Sequence, residues 1–412
     1  MSWPVLKLGD ICRIELGKTP SRSNQIFWDA AKESENVWLS IADLPLSIKP
    51  VMVDSKEYIT DEGAKLCKVV PTGTLIVSFK LSLGRLAITG RDLYTNEAIA
   101  ALYINEKVEL EQDYLYWYLT FFDWNVAAGS DIKVKGKTLN KAKLKEIKVP
   151  TPPLPEQKSI VALLDTVFAD LEQARAKTEQ NLKNSRELFD SYLQQVFDQK
   201  GEGWGENQIG SICDFQNGFA FKSKDTVDTS NTQLVRMGNL YRNILNLDRK
   251  PAFYPNSFYD EHERYQLHTG DLIISLTGTV DKEDYGYTVE IPDIDRKLLL
   301  NQRIAKFINI DSNAVNKRFL LRFLRSRGFL NKLYATARGT RQANLSTITM
   351  SEMSISYPSI DKQEELISVI DELEKNVFNL EDIYKKKLSL INELKKSILQ
   401  KAFSGELTAA VK

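Results

Sequence analysis

Histidine is almost missing from this 412-residue chain, which holds only His262 and His268, and its three cysteines stand isolated. Neither residue type shows the paired spacing that a zinc site needs. Cys12 and Cys213 sit in apolar surroundings and read as buried structural thiols. Net charge is missing too: 55 basic residues cancel 55 acidic ones, so a nucleic-acid surface would have to come from local segregation of charge. Apolar runs are strand-sized, which excludes a membrane-spanning helix. The opening Met-Ser-Trp-Pro-Val-Leu-Lys has no signal-peptide core, so a cytoplasmic protein is expected. There is no phosphate-binding Gly-x-x-x-x-Gly-Lys-Ser/Thr, no Gly-x-Gly-x-x-Gly after a strand, no Gly-x-Ser-x-Gly and no His-Glu-x-x-His. The prolines from Val149 to Pro155 lack the acidic or amide residue and the aromatic of an amino-methyltransferase loop. They read instead as a rigid extended lead into a helix. Catalysis by this chain alone is not expected, and neither is a bound cofactor or metal.

What is present is a repeat. Trp3, Gly9, Ile11, Cys12 and Gly17 return at one constant offset as Trp204, Gly210, Ile212, Cys213 and Gly218. Pro71 to Ser78 is echoed by His268 to Ser275, and Pro152, Gln157, Ile160 and Asp165 by Pro358, Gln363, Leu366 and Asp371. Two similar halves make an approximate two-fold axis available within one chain, suited to a ligand or pair of partners that is itself two-fold related. Each half begins as a mixed α+β segment. Strand-like runs at Thr74–Ser78 and Asp271–Ser275 follow Gly-containing turns, and amphipathic helical stretches run from Tyr114 to Phe122 and from Arg318 to Tyr334.

Each half ends in a long helix. Ile160, Leu164, Val167, Leu171 and Ala174 keep the 4-3 rhythm of a buried seam, as do Leu366, Ile370, Leu373, Val377, Leu380 and Tyr384. Pro155 suits a first turn, Asp361 with Glu364 forms a candidate capping box, and Gly201 and Gly405 mark the stops. An extra four-residue step between Thr178 and Leu182, and again between Tyr384 and Leu388, predicts a stutter that relaxes left-handed supercoiling. The helices align without a gap from Gln157/Gln363 to Phe197/Phe403, whereas the mixed segments align only with shifts. One inserted residue turns everything beyond it by about 100° around a helix, so these helices behave as a spacer of fixed length, about 60 Å for about 40 residues. A two-fold axis that exchanges the halves makes the pair antiparallel. The alternative is that each helix pairs with another copy of the chain, but each seam has a partner of matching length and phase within the same molecule, which favours the internal pair.

Basic residues cluster at equivalent places in the two halves. Lys133, Lys135, Lys137, Lys141, Lys143, Lys145 and Lys148 close the first mixed segment; Arg318, Arg322, Arg325, Arg327, Lys332, Arg338 and Arg341 close the second. Their duplication in a neutral chain points to phosphate contacts. Loops after the central strand carry small residues and donors able to approach a groove: Lys80, Ser82 and Arg85 in the first half, Thr277 and Thr279 in the second. Lys222, Lys224, Arg236, Asn239, Tyr241 and Arg242 enrich the second half in base-reading types.

The chain resembles the specificity subunit of type I restriction–modification systems. The carrying residues are Leu139 with Ile147 to Ile160, the weaker copy Ile355 to Leu366, where Asp361-Lys362 replaces Pro-Glu, and the ending Ile398 to Thr408. The resemblance implies an α+β fold of two pseudo-symmetric globular target-recognition domains separated by an antiparallel pair of long coiled-coil helices. Residues 1–154 and 201–360 would be the recognition domains, with 155–200 and 361–412 the helices and tail. It implies a non-catalytic reader of a split, asymmetric sequence in double-stranded DNA. Two methyltransferase subunits that bind S-adenosylmethionine, and two restriction/translocase subunits that use ATP and Mg, would act on what it reads. The alternatives are the specificity subunit of a system whose methyltransferase and nuclease are fused, and a coiled-coil scaffold that never touches DNA.

Overall fold

A computed structural model of the chain describes residues 3–128, 132–133, 136–137, 139–198, 201, 203–337 and 342–409, with backbone only at 132–133, 136–137, 281 and 408–409. It divides into two compact units, Met1–Glu179 with Lys386–Lys412, and Gln180–Lys385.

The same layers build each unit. In the first, a sheet runs in the order Cys12–Leu16, Ile99–Ile104, Leu75–Ser78, Leu86–Thr89, Val51–Met52. In the second, the order is Asp214–Asn217, Ile304–Ile308, Leu272–Ser275, Thr288–Glu290. Leu75–Ser78 and Leu272–Ser275 are buried at every position, as continuous apolar runs at a sheet's centre should be. Alternate residues then serve two cores. Leu75, Val77, Ala100 and Leu102 face the helical layer, while Ile76, Ala87 and Ala101 face a smaller sheet through Val37 and Leu39. Leu272, Ile274 and Phe307 against Ile273, Ile304 and Val289 repeat this in the second unit. Each smaller sheet holds one parallel pair, Val37–Leu39 with Tyr94–Thr95 and Thr232–Val235 with Lys297–Leu300.

The helical layer differs from expectation in one place. Gln112–Phe121 is a single helix, but the stretch expected from Arg318 to Tyr334 is two, Lys317–Arg325 and Arg327–Ala335. Ser326 breaks it: its backbone is extended and its buried hydroxyl accepts from Phe329 N at 3.3 Å, capping the second piece.

The long helices span Leu154–Asp198 and Ile360–Ser404. Gly405, with φ +83°, ends the second. The expected capping box does not form, because the helix starts at Ile360 and leaves Asp361 inside its first turn. Buried or half-buried residues recur every seven positions at 157, 164, 171, 178, 185 and 192, and at 363, 370, 377, 384, 391 and 398. The period passes through both places where a stutter was expected, so the seam keeps the heptad repeat of a left-handed coil. The misreading traces to Leu380, which is exposed, while the neighbouring Glu381 lies in the seam.

Within each unit the helix segments run antiparallel. In the first, Ile160, Leu164 and Phe168 share a core with Leu399 and Ala402, and Glu172 pairs with Lys395. In the second, Leu193 and Phe197 share a core with Ile367 and Ile370, and Arg186 grips Glu381 through two hydrogen bonds of 2.6 and 3.0 Å.

A buried amide fastens each helix to its domain. Gln157 donates to Glu109 O (3.0 Å) and Pro152 O (2.8 Å) and accepts from Glu111 N (2.9 Å). Gln363 donates to Ala314 O (3.0 Å) and Pro358 O (2.8 Å) and accepts from Asn316 N (2.8 Å). Both side chains are fully enclosed. Eight residues along, the same carboxylate serves in both units with different donors. Asp165 takes Trp117 Nε1 (2.7 Å) and Lys49 Nζ (2.6 Å); Asp371 takes Arg322 Nη2 (2.7 Å) and Arg318.

Replacing Gln157 or Gln363 by leucine strands three backbone groups, so each change should lower the stability of its own unit by about 3 kcal/mol. A urea midpoint equal to that of the unaltered chain would show the amide to be dispensable. Burial pushes the Cys12 and Cys213 thiols up to about 12. Both therefore stay neutral at pH 8, and iodoacetamide should spare them in the folded chain and label them in urea; peptide mass spectrometry reads the difference.

Candidate nucleic-acid interface

Backbone ties bring the two kinds of candidate segment together in each unit. In the first, Leu139 N donates to Phe79 O (3.0 Å), anchoring the middle of the lysine cluster beside the loop that follows the central strand. In the second, Leu345 N donates to Leu276 O (2.8 Å), and Thr277–Thr279 pairs antiparallel with Gln342–Asn344. Segments about 60 residues apart in sequence thus converge at one place, twice.

The first loop is tightly wound. Leu81 and Gly84 both take positive φ, and a Cβ on Gly84 would fall 2.3 Å from the Trp124 ring. Lys80 is half-buried, with its ammonium 5.3 Å above the Phe79 ring, and the Ser82 carbonyl accepts from the Ser78 hydroxyl. Arg85 turns inward and donates to Leu44 O at 3.0 Å, ending the short helix Ile41–Asp43. Lys133 and Lys137 lie on the two-residue strands Ile132–Lys133 and Gly136–Lys137, which pair as a hairpin. Lys135, Arg338 and Arg341 lie outside the described residues.

In the second unit Lys222 and Lys224 are exposed at the short turn Ser223–Asp225. Arg236 donates to the Lys250 carbonyl. Asn239 is buried: its carbonyl oxygen accepts from Arg236 N (2.9 Å), and its amide donates to Asn246 O (2.8 Å) and Arg249 O (3.0 Å). Thr277 is buried with its hydroxyl on Met237 Sδ, and Thr279 Oγ1 donates to Asp284 at 3.4 Å. Arg85, Asn239 and Thr277 thus hold backbone and core in place, whereas Tyr241 and Arg242 stand exposed. Arg249, which the sequence did not single out, lies 4.8 Å over the Tyr241 ring. Nothing in the local sequence marks it, since the loop Ile244–Asp248 separates the two residues.

The arginine cluster of the second half is corrected here. Arg318 and Arg322 serve Asp371, and Arg322 also pairs with Glu374, so both are held by carboxylates of the long helix. Arg325 donates to Thr288 O (2.9 Å) and Asn243 O (3.2 Å). Burial, reinforced by the neighbouring Arg322 charge, holds its guanidinium down to about 10, still cationic at neutral pH. Arg327 faces Glu283 at 3.7 Å. Among the described residues, no group of three or more His, Cys, Asp or Glu is placed to hold a metal ion, and no helix is long and apolar enough to cross a membrane.

Comparison with known proteins gives the family and the fold. The family described as "Type I restriction modification DNA specificity domain" matches the chain twice, over residues 2–180 and 201–390. The chain is 23% identical, over 98% of its length and 93% of the relative's, to the type I restriction enzyme MjaVIII specificity subunit of Methanocaldococcus jannaschii. It is 32% identical to the EcoAI specificity subunit of Escherichia coli over 45% of its own length and 30% of that protein. Two solved structures share the fold. One is a chain from a study of complex assembly and conformational transition in a type I R-M system, with TM-score 0.75, 18% identity and 98% of each chain covered. The other is the HsdS subunit from Thermoanaerobacter tengcongensis, with TM-score 0.59, 17% identity, and 98% and 97% covered.

Bound and free arginines should respond differently to removal. Arg322→Met leaves Glu374 without its partner and Asp371 with Arg318 alone, in a partly buried site, and should cost about 2 kcal/mol. Arg242→Ala and Arg249→Ala should each change stability by less than about 0.5 kcal/mol. Thermal melts of the three variants test this, and equal losses would erase the distinction.

Proposed function

We propose that this chain, which belongs to the type I restriction–modification DNA specificity family, uses its two globular units to read the two parts of one split sequence in double-stranded DNA. The observation that carries the reading is the doubled convergence, in which the loop after the central strand is tied to a segment from the end of the domain, at Leu139 in one unit and at Gln342–Leu345 in the other, at equivalent places in two differently decorated units. Lys80, Lys133, Lys137, Lys222 and Lys224 would lie on phosphates. Ser82, Arg236, Tyr241, Arg242 and Thr279 would lie nearer the base edges, with Arg85, Asn239 and Thr277 as their supports. Unequal units suit unequal half-sites, and the helices, fixed in register by their heptad seams, would set the unread gap between them.

The chain would contribute recognition and no chemistry. Two methyltransferase subunits carrying S-adenosylmethionine would act on adenines in the two half-sites, and two restriction/translocase subunits using ATP and Mg would complete the cleaving form. Such partners would place the assembly in the cytoplasm, with the DNA.

Co-expression with its methyltransferase subunits, followed by sequencing of modified adenines in the host DNA, should yield one two-part motif with a constant gap. Adding one matched seven-residue repeat to both helices lengthens each by about 10 Å. At about 3.4 Å per base pair the gap should widen by about three pairs with both half-sites unchanged. An unmethylated genome, or a gap indifferent to the insertion, would overturn the reading.

A further inference from the structure

The second unit contains a strained turn that its fold takes care to support. Arg242 and Asn243 are consecutive non-glycine residues with φ of +57° and +61°. Asparagine tolerates this region, but arginine there is unfavourable and persists only where neighbours hold it. The neighbours are specific. Asn243 Oδ1 accepts from Thr288 N (2.9 Å), and Asn243 O accepts from Arg325 Nη2 (3.2 Å). Arg325 Nε donates to Thr288 O (2.9 Å), so one guanidinium locks the turn to the edge strand Thr288–Glu290. Arg325 is itself placed by the helix Lys317–Arg325, which Arg322 pins to Asp371 and Glu374.

The turn presents an exposed assembly. Tyr241 stands edge-on to Tyr287 (5.7 Å between centroids, 75°), and the guanidiniums of Arg242 and Arg249 lie 5.3 and 4.8 Å from its ring. Neither guanidinium has a carboxylate partner among the described residues. A planar fork held on an aromatic plate, free of counter-charge, is the arrangement that reads the paired acceptors of guanine in a major groove. The first unit spends its cation differently. There Lys49 also has positive φ (+42°), its backbone N donates to the Tyr116 hydroxyl (2.7 Å), and its ammonium turns inward to Asp113 and Asp165.

We infer that Arg325 is a positioning residue for DNA recognition, fixing the Arg242–Asn243 turn so that Arg242 and Arg249, stacked on Tyr241, read a guanine-containing step in one half-site. The inference rests on the reading that the second unit contacts DNA. Arg325 touches no base; it acts through Asn243 and Thr288.

The test uses the full chain with its methyltransferase subunits in cells, read by sequencing of modified adenines. Arg242→Ala keeps a Cβ and so removes the guanidinium without freeing the backbone. It should relax discrimination by about tenfold at one or two adjacent G·C positions of a single half-site, leaving the other half-site and the gap as they were. Arg325→Met should relax the same positions, a pattern that simple loss of stability would not produce; if that variant fails to accumulate, Arg325→Lys, which cannot span both carbonyls, is read in its place. An unchanged motif, or a uniform fall of methylation with every position still discriminated, would overturn the inference. If the unaltered chain yields no two-part motif at all, it is the function proposed above that has failed.

Discussion

A fully enclosed side-chain amide ties each long helix to the domain that precedes it, and the rest of the molecule depends on that fastening. Gln157 and Gln363 each satisfy three backbone groups where the chain leaves the sheet and begins the helix. An apolar residue could fill either space but would leave an amide and two carbonyls unpaired away from water. A side-chain amide offers two donors and an acceptor, as many as the two carbonyls and one N–H require, where a hydroxyl has a single donor. Because the fastening sets where the first turn starts, it also sets the phase of every later seam residue. Inside a unit, the angle between helix and sheet is therefore fixed by directional bonds and not by apolar contact alone.

Around that fixed point the two units have diverged in their chemistry while keeping their geometry. The carboxylate eight residues on is Asp165 in one and Asp371 in the other, but an indole and an ammonium meet the first and two guanidiniums the second. Cys12 and Cys213, Leu139 and Leu345, and the central strands at 75–78 and 272–275 hold equivalent places in the same layers. The exposed side chains that differ lie in the loops beyond the central strand and beside the smaller sheet, on a framework that the inward-turned Arg85 and the buried Asn239 and Thr277 hold in place. A scaffold that constrains backbone ties and leaves loop side chains free can hold two different surfaces at equivalent positions.

Much of this was legible in the sequence because it depends on local rules. Repeat, central strands, long helices and buried thiols follow from hydrophobic period and turn residues. The misreadings of charge share one cause, which is that a side chain's partner lies far along the chain. Leu380 looked like a seam residue and Glu381 a surface one, until Arg186 supplied the charge that lets a carboxylate sit in the seam. Arg318 and Arg322 looked like phosphate ligands because their acid partners, Asp371 and Glu374, stand about fifty residues away. Arg325 was counted with them, yet its role is to hold a turn more than eighty residues upstream. Ser326 was passed over inside an amphipathic stretch, although serine is a common helix cap. Charge clusters in sequence are a poor guide to charge that is free.

The bonds between the long helices are not copies of one another. Glu172 meets Lys395, but the residues at the corresponding places in the other half are Phe378 and Phe189; Arg186 meets Glu381, where the corresponding pair is Asn392 and Arg175. Were the second helix replaced by another copy of the first in the same register, Arg186 would oppose Arg175 and Glu172 would oppose Phe189. Arg186 facing Arg175 would repel and Glu172 would lose its cation, so the charges along the seam favour the unlike pair over two copies of the first helix.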